Sequence, residues 1–176
     1  GTGNLIIKIF KWFTVSNDKG KEMDQAELVT ILAETIFLPI YALQRYITWR
    51  SIDRITVEGT IEDHGIKAKG LFYFTEEGRF LRFETNDRYY AVKGQYIPYK
   101  WTAVADNIKT ITGYKIPADF KAIWSLPSGD YPYFKGSIED IKFSPLVSPE
   151  TYISSQFALT CWSAFRCRHI GQAPGF

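Results

Sequence analysis

Three residues in this chain have the types needed for acid–base or anion chemistry: Glu34, Asp87 and Arg88. Two carboxylates and a guanidinium gathered in one cleft would make a hydrolase-like site. A lone Arg beside a carboxylate could instead bind a ligand carboxylate or phosphate, or form a structural ion pair. Glu34 falls on the flank of a helical apolar stripe, where it is either solvated or the partner of an Arg lying under the helix. Glu76-Glu77 and Glu139-Asp140 are adjacent pairs, and neighbours on a strand point to opposite faces, so neither pair makes a carboxylate dyad. His64 lies in an Asp-His-Gly turn and reads as surface. Cys161, Cys167 and His169 lack a fourth ligand for zinc, and the two cysteines are either a short-loop disulfide or free thiols. Nucleophile elbow, phosphate loop, metalloprotease motif and dinucleotide fingerprint are all missing, so no catalytic residue, metal or cofactor is assigned.

The aromatic residues are the second chemical feature. Of 29 in the chain, 17 lie between Ile55 and Phe143, so any sheet built there carries a large apolar surface that must be covered. Trp101, Tyr114, Phe120, Trp124, Tyr133 and Phe134 are the candidate ligand-binding residues, with simple core packing as the alternative.

The elements that would position these groups follow from periodicity. Asn4 to Val15 reads as a first strand and 17–20 as a turn. Asp24 and Glu27 form a capping box, and Leu28, Ile31, Leu32 and Ile36 make one apolar stripe, which predicts a helix from Asp24 to about Leu38, ended or kinked by Pro39. A short strand is expected at 46–52. Strands at 55–62, 66–74 and 79–85, joined by tight turns, form a meander. Lys93-Gly94 opens a loop to Pro98, and further strands are expected at 99–105, 108–111, 114–116, 118–126 and 131–143, with Gly136 a bulge or bend. After Pro145 periodicity is lost, although 154–165 could form a short helix. Residues 1–145 are therefore read as one domain and 146–176 as a tail. The short connections require antiparallel pairing.

Composition narrows the function classes. The chain has 21 Lys and Arg against 19 Asp and Glu, a net charge of +2, with acids and bases interleaved, so nucleic acid is not an expected partner. No apolar run is long enough for a membrane-spanning helix. The chain lacks an initiator Met and a signal peptide, which suggests that it is processed or cut from something longer. Neither compartment, bacterial cell envelope or cytoplasm, is selected.

Several phrases occur in a telling order: Asp24-Gln25-Ala26-Glu27-Leu28, Leu32-Ala33-Glu34-Thr35-Ile36-Phe37-Leu38-Pro39, Asn86-Asp87-Arg88-Tyr89, Gly113-Tyr114-Lys115-Ile116-Pro117, then Trp124 and Tyr131-Pro132-Tyr133-Phe134-Lys135-Gly136. Together they resemble a bacterial domain-of-unknown-function family, number 6544, over about Gly3 to Phe143. That resemblance implies further chain before Gly1 and a fold similar to the periplasmic lipoprotein carriers (LolA/LolB-like). The expected architecture is α+β: a strongly curved antiparallel sheet, or half-barrel, with one main helix on its concave face. The implied function is non-enzymatic binding of a lipid or other apolar molecule between sheet and helix. Two alternatives stand beside it: an assembly domain that self-associates through an open strand edge, and the hydrolase-like enzyme of Glu34, Asp87 and Arg88.

Overall fold

The computed structural model describes residues 21–37, 39–92, 94–111, 113–138 and 165–169. The expected strand at 4–15, the expected helix at 154–165 and Cys161 lie outside them. Helix α1 spans Lys21–Glu34 and a 3-10 helix spans Pro39–Leu43. The strands are β1 (Ile47–Ser51), β2 (Thr56–Asp63), β3 (Ile66–Phe74), β4 (Phe80–Thr85), β5 (Tyr89–Val92), β6 (Gln95–Pro98), β7 (Lys100–Ile111), β8 (Tyr114–Leu126), β9 (Gly129–Ile138) and β10 (Phe165–His169). Seven of them form one antiparallel sheet in the order β1-β2-β3-β4-β7-β8-β9, and β10 adds an eighth along β9. β5 and β6 make a separate hairpin inserted between β4 and β7.

Alternation sorts the sheet into two faces. Ile61 on β2, Ala68 and Phe72 on β3, Phe83 on β4, Trp101 on β7, and Ala122 and Trp124 on β8 are buried on one face. The other face is wet: Glu84 binds Arg82 at 2.8 Å and Lys100 at 3.2 Å, and Arg50 binds Glu58 at 2.9 Å. Burial alone would raise the Glu84 carboxyl, but hydrogen bonds and charge from Arg82 and Lys100 outweigh it and hold it below the usual range.

Three glycines make room for rings on the buried face, Gly59 among them, where a side chain would meet the Trp49 and Phe72 rings. A side chain on Gly70 would run into the Phe83 ring, and one on Gly136 into the Phe120 ring. Gly136 is therefore not the expected bulge. The register shift in this hairpin lies between Ala122 and Ile123, opposite Phe134 and Pro132, and leaves Tyr133 as the extra residue.

Helix α1 begins three residues before the expected capping box, so Asp24 sits in its first turn beside Glu22. There the acids complement the positive helix end instead of capping it. The helix stops at Glu34, well before Pro39, and tightens through Thr35 N–H to Leu32 O and Phe37 N–H to Glu34 O. Leu28, Val29, Leu32 and Ala33 form its buried stripe, packed against β2 and β3.

The sheet is neither closed nor strongly curled, which corrects the half-barrel expectation. Among the described residues its strands end at β1 on one side and β10 on the other. The reason lies in the cover. A single helix in a concave sheet would require curling. Here the segment expected as a loop, 93–98, belongs to the β5–β6 hairpin, which packs its Tyr90 on Trp124. Helix and hairpin together cover one face without a wrap. The strands expected as separate pieces at 99–105 and 108–111, and at 114–116 and 118–126, are the continuous β7 and β8. Asn107, at φ 51°, absorbs the irregularity near Pro117.

The chain leaves the sheet after β4, and side chains finish the ladder there. Thr85 Oγ1 donates to Lys69 O at 2.6 Å, and Lys69 N–H donates to Asp87 Oδ2 at 2.8 Å. Asp87→Ala should therefore cost about 1 kcal/mol and speed hydrogen exchange at the Lys69 amide. An unchanged Lys69 exchange rate would show that the bond does not protect it.

Candidate binding site

Arg88 follows directly from this exit from the sheet. Its Nη1 donates to Ala26 O at 3.1 Å and to Thr30 Oγ1 at 2.6 Å, pinning the middle of α1. The guanidinium also lies over the Trp101 ring, 4.7 Å from its centroid. Thr30 Oγ1 donates in turn to Ala26 O at 3.0 Å. Arg88 thus joins helix, β5 and β7 at one point.

Glu34 is half-buried at the end of α1. Burial pushes its carboxyl up to about 8, and the attraction of Arg88 only partly opposes this. Among the described residues no ion pair within 4 Å joins the two. At neutral pH Glu34 is therefore mainly a neutral acid, able to donate a hydrogen bond. Asp87 is spent on the Lys69 amide. The expected triad is thus divided: Glu34 and Arg88 influence each other beneath α1, and Asp87 serves the edge of β3.

Five of the six candidate aromatics have described side chains; that of Tyr114 lies outside them. Trp101, Trp124 and Phe134 are buried. Trp101 and Trp124 face each other across β7 and β8, and Trp101 Nε1 donates to Tyr133 Oη at 3.0 Å. Tyr133 also stacks on Trp124, with centroids 6.2 Å apart. The bulge explains how it does so, because the extra residue brings Tyr133 to the same face as Phe134. Phe120 packs on Phe134 at 5.7 Å and on Phe37, just past α1, at 5.1 Å. The row therefore runs from Trp101 under Arg88 to Phe37 at the helix end.

Three tyrosines that sequence reasoning did not single out complete the cluster. Tyr90 meets Trp124 edge-on at 5.3 Å and Tyr99 at 6.1 Å. Burial, then the neighbouring Tyr131 and Tyr99, raise the Tyr90 phenol. Tyr131 Oη is buried and has no hydrogen-bond partner among the described residues. The overlooked signal was Tyr89-Tyr90-Ala91-Val92 and Gln95-Tyr96-Ile97 around Lys93-Gly94, two short β-prone runs at a turn. Among the described residues no cluster of His, Cys, Asp and Glu could hold a metal, and no helix is long and apolar enough to cross a membrane.

Residues 1–143 match a family of unknown function, DUF6920. This corrects the resemblance to family 6544, which is a different family, and the likeness to lipoprotein carriers finds no support among solved structures. The shared phrases were short and rich in common strand and turn residues, so their order did not discriminate between families. No curated protein and no solved structure matches the chain.

Proposed function

Since the chain belongs to the DUF6920 family, which has no function to transfer, we propose from its interior alone that it is a non-enzymatic module binding an apolar or amphipathic molecule between the sheet and its cover of helix and hairpin. The observation that carries this reading is Tyr131 Oη: a buried hydroxyl without a partner among the described residues, beside Trp124 in the register and close to Tyr90. An unmatched buried donor costs stability unless something supplies an acceptor. A ligand carbonyl or carboxylate would do so, with its apolar body on Trp124, Trp101 and Phe134. Arg88 and the neutral Glu34 supply further polar groups at the helix side. Asp87, engaged with the Lys69 backbone, gives little support to the hydrolase alternative.

A fluorescent fatty acid, cis-parinaric acid, tests the proposal by titration into the full chain. Saturable binding is expected, weakened about tenfold or less by Tyr131→Phe and more strongly by Trp124→Ala. A well-folded sample that binds neither this probe nor a sterol would sink it.

One observation favours the assembly alternative. Among the described residues β1 is an edge strand, and Leu43, Trp49 and Ile52 near it are 83%, 40% and 44% exposed. Light scattering over a concentration series decides this point, because a strict monomer leaves the edge without a self-pairing role.

A further inference from the structure

The wet face of the sheet holds a line of cations that the overall charge balance conceals. Across the strands the register runs Tyr73 (β3), Arg82 (β4), Val104 (β7), Lys121 (β8) and Lys135 (β9). No acid stands in this row. With strands about 4.8 Å apart, Arg82 and Lys135 lie roughly 14 Å from each other. Arg82 has a partner in Glu84 of the adjoining row. Lys121 and Lys135 are directly opposite, exposed, and without an ion pair among the described residues. Like charges placed opposite each other destabilise a sheet. The nearest acids, Asp106 and Asp119, form an opposed pair in the next row, where Asn107 Nδ2 donates to Asp119 Oδ2 at 2.8 Å. That row ends with Ser137 opposite Arg166 on β10.

We propose that this face docks on an anionic phospholipid surface, with Lys121 and Lys135 at the centre of the contact. The row on the other side of the cations is mostly uncharged, with Thr102, Ile123 and Pro132 following Glu84. Lysines beside half-exposed aliphatic groups on an open sheet suit a plane of headgroups. A single-stranded nucleic acid would instead need aromatic platforms for its bases. The one aromatic in the row, Tyr73, is already covered by the Arg82 guanidinium at 4.0 Å. The proposal is independent of the interior ligand site, which lies on the opposite face.

The test is co-sedimentation of the full chain with vesicles of phosphatidylcholine alone and of phosphatidylcholine mixed with phosphatidylserine. Binding is expected only to the mixed vesicles, and it should fall with added salt. Each lysine near such a surface contributes about fivefold in partitioning, so Lys121→Glu with Lys135→Glu should lower binding by at least about 25-fold. Lys67→Glu on β3 makes the charge change of either single substitution away from the row and should have little effect, while Tyr131→Phe should leave vesicle binding unchanged. Absence of binding to mixed vesicles, equal losses for Lys67→Glu and the double variant, or tighter binding to a single-stranded oligonucleotide would each overturn the proposal. Circular dichroism of the double variant confirms that a loss is not unfolding.

Discussion

Phe83→Ala is expected to lower the unfolding free energy by about 3–5 kcal/mol, one of the two largest effects anticipated for a single substitution in this chain. Phe83 is fully buried, lies opposite Phe72 in the register, and meets its ring edge-on at 4.7 Å. It also contacts Trp101 at 6.2 Å, so its ring connects the part of the sheet under the helix with the part under the hairpin. The ring fits only because β3 carries Gly70 beside it. Gly70→Ala alone should therefore cost about 1–3 kcal/mol through overpacking. In the Phe83→Ala background the same change meets an emptied space and should cost much less. Some cost remains, because the new methyl group would still lie 2.9 Å from Glu84 O. Urea unfolding of the four proteins gives the coupling energy directly. Additive losses would mean that ring and glycine do not share this space.

That pair illustrates what was legible in the sequence. β2, β3 and the second half of β8 alternate cleanly, because one face is buried and the other salted. Their faces are therefore evident from Ile61, Phe72 and Trp124 without coordinates. The α+β class and the antiparallel pairing follow from the same pattern and from the short turns. The turn at Glu62-Asp63-His64-Gly65 was equally clear: His64 and Gly65 both have positive φ, as a tight hairpin with the right-handed strand twist requires. The β5–β6 hairpin was not legible, because four-residue strands are too short to show a period. Without it the helix looked too small to cover the sheet, and the expectation of a curled sheet came from the likeness to the lipoprotein carriers. Pro117 made β8 look broken, although the irregularity is absorbed at Asn107 on its partner strand.

The candidate site was legible by type and less so by connection. Arg88 was expected to pair with a carboxylate, and the structure gives it a carbonyl, a threonine hydroxyl and a tryptophan face. Such partners depend on where the helix crosses the sheet, which no local spacing encodes. Tyr131 carries no motif at all. Its significance arises from burial without a partner among the described residues, a property of the packed interior. The cation row is similarly non-local: Lys121 and Lys135 become neighbours only through strand register.

Glu34 gives the second large effect, and its sign is opposite to that of most carboxylates. Its carboxyl sits near 4.5 in the unfolded chain and at about 8 in the folded one, raised by burial against the pull of Arg88. Below the lower value both states are protonated, and the residue contributes no pH dependence. Between the two values the unfolded chain releases its proton while the folded protein keeps it, so stability falls as pH rises. Above the upper value the penalty is complete, of the order of 4 kcal/mol. Glu84 acts in the other direction: its depressed value gives stability that is lost as pH falls. The difference between wild type and Glu34→Gln isolates the first effect. The variant should match wild type near pH 4, gain progressively through neutrality, and be more stable by a few kcal/mol at pH 9. Removing the one attractive charge through Arg88→Gln should raise the Glu34 value further and extend the falling limb to higher pH, while loosening the anchor to Ala26 and Thr30. Denaturant unfolding across pH, with the Glu34 carboxyl followed by NMR, measures both effects. A flat difference between wild type and Glu34→Gln would mean that water reaches the carboxyl, and that Glu34 is charged beneath the helix at neutral pH.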